Sequence, residues 1–136
     1  MSTRATYQFS NTSLAGEDVT VYIHYDGYPL GAAGYFLAAM NEKMDSGKPL
    51  LEAFITANDG ALITRDHEAH GDTDYRYWTD GTMIKVEKRE IKFTDDGYHN
   101  EWTVIHDRTL NEFIVIGISS PVAAEIYRQL SGDIHE

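Results

Sequence analysis

The pattern of the chain predicts an α+β fold, an antiparallel sheet of about six strands with three helices in the order ββααββββα. Three observations carry this expectation. Polar and apolar residues alternate over 3–9 and 19–25 and again from Tyr75 onward, the period of strands with one buried face. Residues 29–58 change to the 3.6-residue spacing of helices. Strand runs and helix runs therefore stay apart along the sequence, unlike the interleaved order of a parallel α/β protein.

In the first strand Ala5, Tyr7 and Phe9 share a face. In the second, Val19, Val21, Ile23 and Tyr25 do, so a hairpin across the turn at 11–18 is expected. Asp26-Gly27-Tyr28-Pro29 breaks the alternation, and Pro29 suits a first helical turn, where its missing N–H would be unpaired anyway. Ala33, Leu37, Met40 and Met44 then form a stripe with Phe36 beside it, and Gly47 stands where a helix-ending glycine belongs. A shorter helix from Pro49 is expected to bury Leu50, Leu51, Phe54 and Ile55 and to end near Asn58-Asp59-Gly60. A short strand at 61–64 and a polar loop at 65–74 follow. Strands are predicted at 75–79 and 82–88 about Asp80-Gly81, the strongest hairpin signal in the chain. The second of these continues at 90–94, Asp95-Asp96-Gly97 turns it, and further strands lie at 101–106 and 112–118. Ser120-Pro121 opens a last helix in which Val122, Ile126 and Leu130 share a face. No repeat or linker divides the sequence, so 1–136 reads as one domain.

The 136 residues carry 11 Lys and Arg against 22 Asp and Glu, a formal charge of −11, and no cysteine. Thiol nucleophiles, thiolate metal sites and disulfides are excluded. The acidic balance argues against direct nucleic-acid or anionic-membrane binding, which needs clustered Lys and Arg. The longest apolar stretch, 113–118, is far short of the roughly 20 residues a membrane span requires. Met1-Ser2-Thr3-Arg4 opens without the apolar run of a secretory signal, so a cytoplasmic location is expected. Charge is uneven: residues 59–74 hold five acids against Arg65, while 85–92 hold Lys85, Lys88, Arg89 and Lys92 against two acids. Basic residues on a strand discourage edge-to-edge aggregation; the other reading is a contact for an acidic partner or one half of a homodimer.

The strand-turn-helix at 22–34 is the most distinctive motif. Unpaired N–H groups at a helix start can receive a polar or anionic ligand, and His24, Asp26, Tyr28 and Gly31 are its candidate contacts. The same residues also make a turn and a close helix–sheet packing. The string His24-Tyr25-Asp26-Gly27-Tyr28-Pro29-Leu30-Gly31 resembles the His-Trp-Asp-Gly-Tyr-Pro motif of a group of small phage, prophage and mobile-element proteins, with Tyr25 in place of tryptophan. The resemblance covers about a dozen residues and implies no catalytic role. It implies a context in which small acidic proteins, anti-CRISPR proteins among them, bind and block host defence complexes.

Asp66-His67-Glu68-Ala69-His70-Gly71-Asp72 is dense in imidazole and carboxylate, but has neither the His-Glu-x-x-His spacing of zinc proteases nor the pattern of a calcium loop. A solvated acidic loop is expected there, with no metal. No nucleophile elbow, phosphate loop or dinucleotide fingerprint occurs. Tyr75-Arg76-Tyr77-Trp78, with Tyr98 and Trp102, has the composition of an interface, and equally of paired strands. The leading expectation is a non-enzymatic, cofactor-free counter-defence protein that binds a host protein or ribonucleoprotein complex. Asp66, Glu68, Asp72, Asp74, Tyr77, Trp78, Asp95 and Asp96 are its candidate contacts. The runner-up is a protein that sequesters a nucleotide signal at 22–34, which requires an aromatic pocket with Arg or Lys near the helix start. A metal-dependent hydrolase built on His67, His70 and Asp72 is third.

Overall fold

A computed structural model describes residues 3–13 and 16–119. A six-stranded sheet has the order β3-β2-β1-β4-β5-β6, built from β1 (Ala5–Phe9), β2 (Val19–Ile23), β3 (Leu62–Thr64), β4 (Tyr75–Thr79), β5 (Met83–Thr94) and β6 (Gly97–Thr109). Helices α1 (Pro29–Ser46), α2 (Leu50–Ala57) and α3 (Leu110–Ser119) accompany it. The α+β class and the order ββααββββα are as expected. The sheet is mixed, because β1 runs parallel to β4 with Tyr7 beside Tyr77, and every other neighbouring pair is antiparallel.

Alternation decides which residues enter the core. Ala5, Tyr7 and Phe9 of β1, Val21 and Ile23 of β2, Tyr77 of β4 and Ile84 and Val86 of β5 are buried with Ala32, Ala33, Phe36 and Ala39 of α1 and Leu50, Leu51 and Phe54 of α2. Aromatic rings fill the centre. Tyr7 stacks on Tyr77 at 4.7 Å between centroids, and Phe9, Tyr7 and Phe36 each meet Phe54 at 5.0–5.2 Å. Each such ring removed from water stabilises the fold by about 2–3 kcal/mol before ordering costs. Pro29 begins α1 and left-handed Gly47 ends it, its N–H donating to the Lys43 carbonyl. The buried face of α1 centres on Phe36 rather than on the predicted Leu37 stripe, and Met44 is 81 % exposed.

The predicted strand at 112–118 is helical. Thr109 and Glu112 form a capping box: the Glu112 carboxylate accepts from the Thr109 N–H at 3.1 Å and the Thr109 hydroxyl accepts from the Glu112 N–H at 3.1 Å. Phe113 then packs on Phe36 and Tyr77. A Cβ added to Gly117 would collide with that of Ala33, so the missing side chain lets α3 approach α1. The final helix predicted from Pro121 lies outside the described residues.

Both predicted tight hairpins form. Asp80 holds the first, its carboxylate accepting from the Thr82 and Met83 N–H groups at 2.9 Å, and those bonds lower its pKa. The second joins two long strands. Only residues 84–88 of β5 also pair with β4, so the rest of β5 and its partner residues on β6 overhang the sheet as a two-stranded ribbon. The basic stretch of β5 therefore divides: Lys85 and Lys88 lie between β4 and β6, whereas Arg89 and Lys92 stand in the ribbon, where β5 pairs with β6 alone among the described residues.

Candidate functional site

The sequence motif at 24–31 divides between two places. Its turn is built by close approach. Asp26 adopts a left-handed φ of 56°, and a Cβ on Gly31 would collide with the Asp26 carbonyl. A Cβ on Gly27 would lie 2.7 Å from that of Ala5. The Gly27 carbonyl accepts from the Tyr77 hydroxyl at 2.6 Å, and the Tyr28 hydroxyl donates to the Asp26 carboxylate at 3.3 Å. Asp26 and Gly31 line an open cavity of about 630 Å³ between the end of β2, α1 and the segment after α2. Tyr25, Tyr35, Asn58 and Asp59 complete its polar lining. Burial, and after it the Asp26 carboxylate, pushes the Tyr35 hydroxyl up to about 12, so it stays a donor, bonded to the Tyr25 carbonyl at 2.8 Å. The lining carries two carboxylates and neither Arg nor Lys, a poor setting for a phosphate.

His24 turns instead to the sheet face opposite α1 and α2. There its Nδ1 accepts from Arg4 Nε at 3.1 Å with the Tyr22 hydroxyl 3.2 Å away, and Arg4 pairs with Asp72 at 3.2 Å. The loop at 65–74, which contains a 3₁₀ turn at His67–Ala69, folds onto this face. His70 stacks on the Tyr22 ring at 3.8 Å and bonds the Thr64 hydroxyl. His67 Nδ1 meets the Thr6 hydroxyl at 2.6 Å. Burial first, then the nearby Arg76 cation, pulls the His67 pKa down to about 4. Thr6 and His67 have the atoms of a nucleophile and base, yet Thr6 is fully buried and so weak a base is a poor proton acceptor. The pair pins the loop to the sheet.

The acids of this loop are less available than their number suggests. Glu68 pairs with Arg76, Asp72 with Arg4 and Asp74 with Arg89, and Asp66 caps the 3₁₀ turn and pairs with Arg65. The sequence showed Arg65 alone nearby, because Arg4, Arg76 and Arg89 arrive from three different strands or their approaches. Among the described residues no group of three or more His, Asp and Glu is placed to hold a metal ion, and His67, His70 and Asp72 each turn to separate partners.

Tyr77 is fully buried, so it is core and not a partner contact, which its alternation with Trp78 explains. Trp78 sits on the outer face, its indole N–H donating to Ser10 at 2.9 Å. Arg76 lies 3.9 Å over the Trp102 ring. Asp95 and Asp96 form the exposed tip of the ribbon. By alternation one ribbon face carries Ile91, Phe93, Tyr98, Asn100 and Trp102, and the other Glu90, Lys92, His99, Glu101 and Thr103. Phe93 is 82 % exposed and Tyr98 70 %, with their rings 6.3 Å apart. Residues 90–94 and the start of 101–106, expected as ordinary sheet strands, instead form this ribbon. The signal that distinguishes them is length, twelve and thirteen residues against five in β4.

No protein-family model matches the chain, and neither a curated protein nor a solved structure matches it.

Proposed function

We propose that this is a non-enzymatic binding protein of counter-defence type that uses the tip of the β5–β6 ribbon to occupy a basic groove on a host nucleic-acid-binding defence complex. The observation that carries the reading is the exposed aromatic face of that ribbon, with Phe93 and Tyr98 next to the Asp95-Asp96 tip. Large apolar side chains held out on a projecting hairpin are a cost in water unless a partner covers them. Aromatic residues beside acids suit a groove lined with Arg and Lys, where rings supply contact area and cation–π attraction and the acids stand in for phosphates. The net charge of −11 adds steering toward such a surface.

Binding of the purified protein to a CRISPR effector complex, measured in rising salt, tests this. Association at low salt that weakens as salt rises, and that D95K/D96K weakens strongly, is expected. Absence of binding at low salt, or binding indifferent to D95K/D96K, refutes it.

A second reading rests on the cavity beside Asp26. Two tyrosines and two carboxylates favour an alkylammonium compound over a nucleotide. A rise in melting temperature with spermidine and none with a nucleoside triphosphate is the expected result.

A further inference from the structure

We infer that the free edge of β6 pairs with the same edge of a second copy of this chain, antiparallel and centred on Asn100. This does not rest on the host partner proposed above, because it concerns the edge of the ribbon and not its tip.

Among the described residues β6 is the last strand of the sheet and β5 is its one ladder partner. The hairpin loop is Asp95-Asp96, closed by Thr94 opposite Gly97. Pairs alternate between hydrogen-bonded and non-hydrogen-bonded from that closing pair. Tyr98, Asn100 and Trp102 therefore point their N–H and C=O groups away from β5. Natural edges are usually blunted by proline, lysine, a bulge or shortness. The opposite edge, β3, is three residues long. Residues 97–104 contain no proline or lysine, and the ladder's irregularity lies beyond them, where Glu87 faces Val104 but Val86 faces His106.

The side chains select the register. With Asn100 opposite Asn100, Tyr98 faces Trp102 and His99 faces Glu101, each pair occurring twice by symmetry. Aromatic pairs, and an imidazole facing a carboxylate with which it can hydrogen-bond, are favourable cross-strand combinations. Sliding by two residues one way sets Glu101 against Glu101, and the other way sets His99 against His99. A one-residue slide is forbidden, since outward-facing backbone groups would meet inward-facing ones. His99 and Glu101 already bond within one chain at 3.0 Å, so pairing of two copies makes an alternating row of four groups. The exposed faces bearing Phe93 and Tyr98 then lie side by side as one wider apolar strip.

Sedimentation equilibrium of the full chain over a wide concentration range tests the inference. The wild type is expected to form a dimer, and H99D and E101K, both at exposed positions, each to weaken it on the order of tenfold or more. An equimolar mixture of the two variants is expected to recover the dimer, because each mixed interface sets the introduced acid against the introduced base and the native Glu101 against the native His99. Circular dichroism of both variants checks that each still folds. A wild type monomeric throughout overturns the inference, as does a dimer unaffected by either variant. Failure of the mixture to recover overturns the register.

Discussion

Tyr7 and Tyr77 offer a controlled comparison of two buried hydroxyls. Both rings are fully buried and they stack on each other at 4.7 Å. Burial raises both phenols well above 10, so both are neutral at any ordinary pH. They differ in hydrogen bonding. The Tyr77 hydroxyl donates to the Gly27 carbonyl at 2.6 Å, while the Tyr7 hydroxyl has no partner among the described residues. Y77F removes one bond and leaves a buried carbonyl unpaired, which costs about 1–3 kcal/mol. Y7F removes a desolvated group that returned nothing, so the change is about zero or stabilising by up to roughly 1 kcal/mol. For a domain of this size 1 kcal/mol moves the midpoint by about 3–5 °C. Thermal and urea unfolding followed by circular dichroism should therefore show Y77F clearly lower and Y7F unchanged or higher. Equal losses in the two variants would refute the reasoning, since ring burial is the same in both.

Two further outcomes are expected. G31A should destabilise by about 1–3 kcal/mol through collision with the Asp26 carbonyl, whereas G34A on the same helix, with open space around it, should be neutral or gain up to about 1 kcal/mol; a urea titration that ranks them the other way contradicts the packing described. Burial depresses the folded-state pKa of His67 to about 4 and lowers that of His106, so the unfolded chain binds more protons than the native one between about pH 6.5 and 4. Stability is then fully present above about pH 6.5 and lost as pH falls through that window. H67Q should flatten part of the slope of melting temperature against pH, and an unaltered slope would show that His67 is not the titrating group.

How much of this was legible in the sequence depends on whether the deciding interaction was local. The β1–β2 hairpin, the Pro29 start, the Gly47 stop and the Asp80-Gly81 turn are each set by neighbours in the chain, and each was readable. Residues 112–118 read locally as a strand because Phe-Ile-Val-Ile suits one with a buried face, and a capping box plus packing on Ala33 overrides that preference. Thr109 and Glu112, three apart, were the visible signal. The neutralisation of the 65–74 loop was not legible, since its arginines come from distant strands. Nor was the burial of Tyr77 beside the partly exposed Trp78, which follows only once the helix-covered face is known.

The parallel junction of β1 with β4 also bears on how quickly the chain folds. Thr6 meets Arg76 across about seventy residues of intervening chain, whereas β4, β5 and β6 follow one another through tight turns. Closing the long loop costs entropy before any contact repays it. The meander is expected to be native-like early, and the seam that carries the Tyr7–Tyr77 stack to close at the rate-limiting step. Substitutions at Tyr7 should then slow folding more than they speed unfolding, while the β4 edge stays open to wrong partners until β1 arrives.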